Sequence, residues 1–340
     1  MNPIGVVTNP NSGKNRRNPG RCAELERALG RWGVVRETHD LAALERVLVE
    51  FFDLGADVWV CDGGDGTLHW MLTLGDRIAS ERGVPLPRIV PANGGSIDFV
   101  AHRAGIRGEA ASVIKALIAA QVRADKPDAV VLDTFRMRGT GKDGTAFDHL
   151  GFASAIGGIA QRFFNKLYEK KPVDGWSIWR VISRSVSGAA LGKAPRQVQQ
   201  LFEDGLVDYA DEVFAPTMAN VDVDGKRLAF DSFASLQVGS IDINLGGVVR
   251  TFRHAHAPGV LHAQAISATP LGVVANLPNI VLGTPIWGSK VFDGPAARMR
   301  VTAVGDESLD PVIDGEMFHG LAELEVSRGP QVAVPRVCSE

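Results

Sequence analysis

The residues of this chain that could do chemistry lie in three glycine-bearing clusters. The first to argue from is Gly63-Gly64-Asp65-Gly66-Thr67, which follows an apolar run and opens a helical pattern. Its glycines let backbone N–H groups approach a phosphate closely, and a helix start adds a favourable partial positive charge. Asp65 would repel a bare phosphate, so its carboxylate points to an intervening cation or a fixed hydrogen bond to the loop. The spacing is neither GxGxxG nor GxxxxGK[ST], so neither of those mechanisms applies, and an ordinary strand-to-helix turn is the alternative. Asn9-Pro10-Asn11-Ser12-Gly13-Lys14 forms a second cluster, with Lys14 as a point charge, although taken alone a surface turn is the better account of it. The third, Pro91-Ala92-Asn93-Gly94-Gly95-Ser96, precedes Asp98 and Phe99. Three such loops after successive strands could converge on one polyphosphate.

The elements that must position these loops are legible as alternating patterns. Ile4–Thr8, Val34-Val35, Asp57–Cys61 and Pro87–Val90 read as strands. Pro19–Trp32, the stretch after Thr38-His39-Asp40, Thr67–Leu74 and Ser112–Ala120 read as helices, with N-cap candidates at 38–40. Strands alternating with helices imply a mostly parallel sheet covered on both faces, which binds ligands at the carboxyl ends of its strands. Near Ala124-Asp125-Lys126-Pro127 the pattern changes. Ala129–Arg138, Val221–Val223, Phe233–Ile243, Val260–Ser267, Arg298–Val304 and Leu321–Val326 are strand-like runs, with a hairpin signal at Asp224-Gly225. One helical stretch, about Gln161–Leu191, interrupts them. The expectation is an α/β domain over 1–126 and a β-rich domain over 127–326, with residues 327–340 packing back on the first and a cleft between the two.

Composition excludes several classes. Apolar residues make up 45% and charged residues 22% of 340, which is globular usage. With 36 basic and 39 acidic side chains there is no global basic field to attract nucleic acid, and no nucleic-acid motif is present. Cys22, Cys61 and Cys338 are far apart, which argues against a disulfide scaffold and fits a cytoplasmic protein. No long apolar span and no signal-peptide core is seen.

Asn9-Pro10-x-Ser12-Gly13, the Gly63–Thr67 loop, the Gly94–Phe99 segment and a late Asp314-Gly315-Glu316 occur in the order of the diacylglycerol kinase catalytic family, which the chain resembles from about residue 4 onward. Gly151–Gly157 is similar to that family's glycine-bearing segment in its second domain. The family includes sphingosine, ceramide and soluble bacterial lipid kinases, within an NAD-kinase-like superfamily. The resemblance implies a Rossmann-like α/β nucleotide domain, a C-terminal β-sandwich, and ATP with Mg2+ as cofactors. By position, Asn9, Pro10, Asn11, Ser12, Gly13, Lys14, Thr38, Gly63, Gly64, Gly66, Thr67, Gly94, Gly95, Ser96 and Asp98 would line the nucleotide. Asp65 would neighbour magnesium, and Glu316 would be the base that takes the proton from a lipid hydroxyl. Without the resemblance, Asp314-Gly315-Glu316 reads as a surface hairpin turn.

Two departures stand out. The family's third loop reads Pro-x-Gly-Thr-x-Asn-Asp-Phe; here one residue is inserted, Gly95 holds the threonine position and Ile97 replaces the asparagine. At Ala255–His262, Pro258 stands where bacterial members carry an acidic residue supporting a structural magnesium, so that site is not carried over. His254 and His256 alternate and could share a strand face as zinc ligands, although surface or core histidines are the better reading.

Arg162, Lys166, Lys170, Lys171, Arg180, Arg184, Lys193 and Arg196, interleaved with Phe163, Phe164, Tyr168, Trp176 and Trp179, form a cationic aromatic segment. It suits a peripheral contact with an anionic membrane. Alternatively Trp176, Trp179, Ile182 and Val186 pack inward while the arginines face water. The expected function is an ATP-dependent kinase acting on a diacylglycerol- or sphingoid-like lipid, as in phospholipid biosynthesis; a homodimer is compatible with it. The rivals are a catalytically weak nucleotide-binding regulator and a kinase of a soluble hydroxyl compound.

Overall fold

The computed structural model describes residues 2–123, 128–169, 175–195, 197, 205–245 and 249–336. The chain divides into two units, Met1–Thr134 with Pro330–Glu340, and Phe135–Gly329. The expected boundary at 126/127 falls outside the described residues. The divisions at Thr134 and Gly329 lie inside two long strands, β5 (Ala129–Gly141) and β19 (Leu321–Pro335).

The first unit holds four parallel strands, β1 (Ile4–Thr8), β2 (Gly33–Glu37), β3 (Val58–Asp62) and β4 (Arg88–Pro91), in the order β2-β1-β3-β4. Strands β1 and β3 are buried throughout, as continuous apolar runs covered on both faces must be. Their register sets Thr8 opposite both Glu37 and Asp62, so the strand ends are level. Because β1 and β3 are adjacent while the chain visits β2 between them, the crevice at their carboxyl ends is the switch point where such sheets bind ligands. Helix α1 covers Arg21–Leu29; α2 covers Leu41–Asp53, where Asp40 caps by accepting from Ala43 N at 2.7 Å. Helix α3 runs from Asp65 to Arg82, well past the expected Leu74. Gly75 lies inside it, where a Cβ would lie 2.9 Å from the Trp59 ring, so its small size serves packing. Helices α4 (Phe99–Arg103) and α5 (Ala110–Val122) follow.

The second unit is built on two antiparallel sheets. One contains β8 (Thr217–Val223), β10 (Ser232–Phe233), β16 (Arg298–Ala303), β19, β5 and β6 (Ala146–Gly151), with β9 (Lys226–Arg227) paired to β8. The other runs β15-β14-β11-β7-β17-β18, from Val291–Ala296 through Leu261–Ile266, Ser235–Gly239, Ala153–Gly158 and Val312–Ile313 to Glu316–Met317. Their facing sides share one core, with Phe135, Val221 and Met299 from the first against Leu236, Val238 and Ala263 from the second. A sandwich is the physical answer to two half-apolar sheets. The Asp224-Gly225 turn has positive φ at both residues, 50° and 79°, as a hairpin requires.

Several expectations change here. The single run Phe233–Ile243 is broken into β10, β11 and the start of β12 (Ile243–Leu245), which pairs with β13 (Val249–Thr251). The one helical stretch is two helices, α6 (Ile159–Tyr168) and α7 (Gly175–Leu191), and α8 (Leu206–Phe214) follows. Two short helices, α9 (Pro270–Ala275) and α10 (Leu277–Leu282), were not anticipated, and each carries a proline, Pro270 and Pro278. Both prolines occupy first-turn positions, where a missing N–H costs nothing. His254 and His256 lie in a 3-10 turn, Arg253–His256, rather than alternating along a strand.

Candidate functional site

The three glycine loops of the first unit meet. Asn9 Nδ2 donates to Thr67 Oγ1 at 2.9 Å, joining the loop after β1 to the start of α3. Lys14 N donates to Gly94 O at 3.2 Å, and Lys14 Nζ donates to Asn93 O at 2.8 Å and to Asp98 Oδ2 at 2.9 Å. Gly64 and Gly95 approach so closely that a Cβ on Gly95 would lie 2.5 Å from Gly64 Cα and 2.4 Å from Asp98 Oδ1. A Cβ on Gly13 would meet Ser96 Oγ at 2.3 Å. The cradle is therefore a backbone surface without room for side chains, which is what a polyphosphate needs in order to reach amide N–H groups. Thr38, at the end of β2, is buried and donates its N–H to Thr8 O at 3.0 Å, which puts it beside the first loop. Pro10, Asn11, Ser12 and Gly63 lie on the same loops, Gly66 is in the first turn of α3, and Asn11 N donates to Asn9 Oδ1.

The carboxylates divide their labour. Asp65 accepts from Phe99 N at 3.2 Å and Val100 N at 3.3 Å, one amide on each oxygen, and so caps α4. Of the two roles its sequence allowed, the fixed hydrogen bond to a neighbouring loop is thus present. Buried Asp98, in a left-handed conformation (φ 53°), accepts from Gly95 N at 2.8 Å and pairs with Lys14. Part of the Lys14 charge is therefore already used in holding the loops together. Among the described residues no group of three or more His, Cys, Asp or Glu could hold a metal ion, so a metal here would draw on phosphate oxygens for its remaining ligands.

Sequence reading missed the knot beneath the cradle. Fully buried Asp62, the last residue of β3, accepts from Thr8 Oγ1 at 2.8 Å, Asn15 Nδ2 at 3.1 Å, and two nitrogens of Arg21 at 3.0 and 3.1 Å. Asn15 also donates to Asn9 O and Asp62 O, tying the first loop to the end of β3. The one available signal was an aspartate closing an apolar strand immediately before a glycine pair. Cys61 beside it is buried, and that burial pushes its thiol well above the ordinary cysteine range, so it is not a nucleophile. Cys338 lies outside the described residues.

In the second unit, Asp314-Gly315 forms the two-residue turn between β17 and β18, with φ of 49° and 91°, and Glu316 opens β18. This is a hairpin, but not a surface one. Asp314 is buried and accepts from Phe152 N at 3.1 Å and Ala153 N at 2.9 Å. Burial raises its carboxyl to about 7; the two amides oppose that rise and the charge of Glu316 adds to it. A Cβ on Gly315 would lie 2.9 Å from Tyr168 Oη, so the turn abuts the last residue of α6.

The same helix lines a cavity of about 170 Å3. Its floor is the outer face of the β11–β14 pair, at Ser235, Gln237, Gln264 and Ile266, whose intervening residues face the sandwich core. Its walls come from α6 (Phe163, Phe164), α7 (Ile178, Ile182), α9 (Val273) and α10 (Leu277, Ile280). The outward sides of α9 and α10 and the following loop expose Leu271, Leu282 and Trp287, the last 71% exposed. No Asp, Glu, Lys or Arg occurs between Arg253 and Lys290, the signal by which this region could have been singled out.

The cationic aromatic segment is only partly as expected. Ile178 and Val181 pack inward, while Trp176 is 75% and Trp179 50% exposed. The inward stripe is thus offset from the one that would have buried the tryptophans. Lys166 pairs with Glu169 and Glu212, Arg162 donates to Ala215 O, and Arg184 lies 4.9 Å over the Tyr209 ring. Lys170, Lys171, Asp174 and Arg196 lie outside the described residues. Of the two histidines, His254 packs edge-on against buried His262 at 4.9 Å and His256 bonds Arg253 O. No helix among the described residues is long and apolar enough to cross a membrane.

A Rossmann-like sheet with a glycine cradle at its switch point, followed by a β-sandwich bearing an acidic turn, defines the diacylglycerol kinase and NAD kinase type of two-domain fold. Residues 3–126 match the diacylglycerol kinase catalytic domain. The whole chain is similar in fold to a diacylglycerol kinase from Bacillus anthracis str. Sterne, with TM-score 0.55, 13% identity, and 96% and 93% of the two chains covered. It is also similar to yeast NADH kinase, solved with NADH, with TM-score 0.51, 10% identity, and 99% and 84% covered. No curated protein sequence matches the chain significantly.

Proposed function

We propose that this protein is an ATP-dependent lipid kinase. The observation that carries the lipid half of this reading is the apolar cavity of the second unit, which shares helix α6 with the acidic turn holding Glu316. A soluble, multiply hydroxylated acceptor would gain nothing from walls of Phe163, Phe164, Ile178 and Ile280, whereas an acyl or alkyl chain is stabilised by about 25 cal/mol for each Å2 of apolar surface it buries. In the first unit, the backbone cradle of Asn9–Lys14, Gly63–Thr67 and Gly94–Ser96 fits the triphosphate. Asp65 would be the protein carboxylate that helps hold magnesium, which when bound would supply neutralisation of phosphate charge. The chain's own chemical contribution is small and specific. A Glu316 carboxylate oxygen takes the proton of the acceptor hydroxyl, and the hydroxyl's own oxygen bonds to the γ-phosphorus as the bond to the departing ADP oxygen breaks. Burial of Asp314 raises its carboxyl to about 7, which limits the negative charge at the turn.

The reading also places a lipid-surface contact on the second unit, at exposed Trp176 and Trp179 and at the uncharged α9–α10 region with Leu282 and Trp287. Phosphate transfer from γ-labelled ATP should be screened over long-chain diacylglycerols, long-chain amino alcohols and soluble polyols. Transfer to a long-chain acceptor is expected, falling by about 10²–10⁴-fold in Glu316→Ala. Unchanged transfer in that variant would remove the assigned base, and a soluble acceptor preferred over all lipids would overturn the lipid reading.

A further inference from the structure

The cavity floor carries a polar row that a purely apolar chain would leave idle. Gln237 on β11 is in register with Gln264 on β14, and Gln264 with Asp293 on β15, so the three side chains lie side by side across three antiparallel strands. Asp293 is held by Arg253 at 2.9 Å, by Ile286 N at 3.0 Å and by His262 Nε2 at 2.8 Å. Burial opposes its charge, but the bonds from His262, Ile286, Gln264 and Arg253 overcome that and hold the carboxyl well below the usual carboxylate range. It is therefore ionised, and an ionised carboxylate only accepts hydrogen bonds.

That fixes a direction along the row. Gln264 must turn its amide nitrogen to Asp293, as it does at 2.9 Å. Its carbonyl oxygen then faces Gln237, which must present its own nitrogen, and Gln237 Nε2 does donate to Gln264 Oε1. The carbonyl oxygen of Gln237 is what remains, an acceptor in the cavity wall with no partner among the described residues. A second unmet group lies in the same wall. Thr251 Oγ1 is buried and lacks a hydrogen-bond partner among the described residues. A buried polar atom left unpaired is costly, and a cavity that holds one, Thr251 Oγ1, together with the open Gln237 acceptor is shaped for a ligand that pairs with them.

We infer that the cavity selects an amphiphile carrying a hydrogen-bond donor, a hydroxyl or N–H, along its apolar body, and that Gln237 is the residue that reads it. Gln264 and Asp293 are positioning residues, fixing which end of the Gln237 amide faces the ligand. This deepens the lipid-kinase reading and rests on it for the identity of the cavity's occupant.

Equilibrium binding without nucleotide separates the two. Monostearoylglycerol, its hydroxystearoyl counterparts with the hydroxyl at several chain positions, and their methyl ethers would be titrated against a displaceable fluorescent fatty-acyl probe. The methyl ether keeps the oxygen as acceptor but removes the donor. The wild-type protein should bind at least one hydroxy compound about tenfold more tightly than both its parent and its ether. Gln237→Leu should abolish that preference while still binding the parent, and Gln264→Leu should weaken it with Gln237 intact. Equal binding of the three ligands, or a preference surviving Gln237→Leu, would overturn this inference and leave the lipid reading standing. Binding of none of them would overturn both. Thermal melting of each variant identifies loss of folding, and should Gln237→Leu not fold, the wild-type comparison of hydroxyl with ether decides alone.

Discussion

A threonine at position 95 would need space already held by the Cα of Gly64 and a carboxylate oxygen of Asp98, each within 2.5 Å of where its Cβ must go. The residue that the family pattern places there is thus incompatible with this backbone. Here the third loop lies against the second so closely that only glycine fits. Restoring the family residue should be harmful: Gly95→Thr is expected to cost about 1–3 kcal/mol of stability through overpacking and to weaken ATP binding at least tenfold. Calorimetric titration with a non-hydrolysable ATP analogue, beside a thermal melt, checks both; unchanged or tighter nucleotide binding would show that the loop has room after all. Single-residue reading of the loops reached their chemistry because glycine and serine after an apolar run are local signals. It could not reach Asp62, Asn15 and Arg21, whose bonding links residues 41 to 47 positions apart.

The hairpin at Asp314-Gly315 shows what an element adds. Its buried carboxyl titrates near 7 when folded and near 3.8 when ordinary. Below the lower value both folded and unfolded chains hold the proton, and the contribution to stability is fully present. Between the two values the unfolded chain releases its proton and the folded one retains it, so stability falls as pH rises, and the loss is complete above about 7. Asp314→Asn should remove this slope, on the order of 4 kcal/mol across the window, in urea unfolding measured at a series of pH values. An undiminished slope would mean that other groups carry it. At this scale the sequence was legible where one period ruled. The β1–β4 strands, the Asp40 cap and the Asp224-Gly225 turn all followed from local chemistry. Helices α9 and α10 did not, since a proline reads identically as a breaker and as a first-turn residue. On α7, stripes through Trp176 and Trp179 or through Ile178 and Val181 have equal helical spacing, and only packing against α6 chooses between them.

At the scale of the whole molecule, the near-neutral charge conceals two different surfaces. If attachment to membranes were mainly cationic, it would weaken with salt and need anionic lipid. The structure turns several of the segment's cations toward Glu169, Glu212, Tyr209 and the backbone of Ala215. It leaves Trp176, Trp179, Leu282 and Trp287 exposed. Flotation with phosphatidylcholine vesicles should therefore persist at high salt and be lost in a Leu282→Asp, Trp287→Asp double variant. Flotation that requires anionic lipid and vanishes with salt would return the contact to the basic segment. The uncharged stretch between Arg253 and Lys290 has one more consequence, this time for anyone mapping the molecule in pieces. Trypsin, which cuts after lysine and arginine, releases it as a single peptide, His254 to Lys290, and a glutamate- or aspartate-directed protease finds no site within it. Exchange or chemical-labelling data read from such digests would average His262, Gln264 and Trp287 into one value. Resolving the cavity floor from its roof by mass spectrometry needs a protease that cuts at apolar residues.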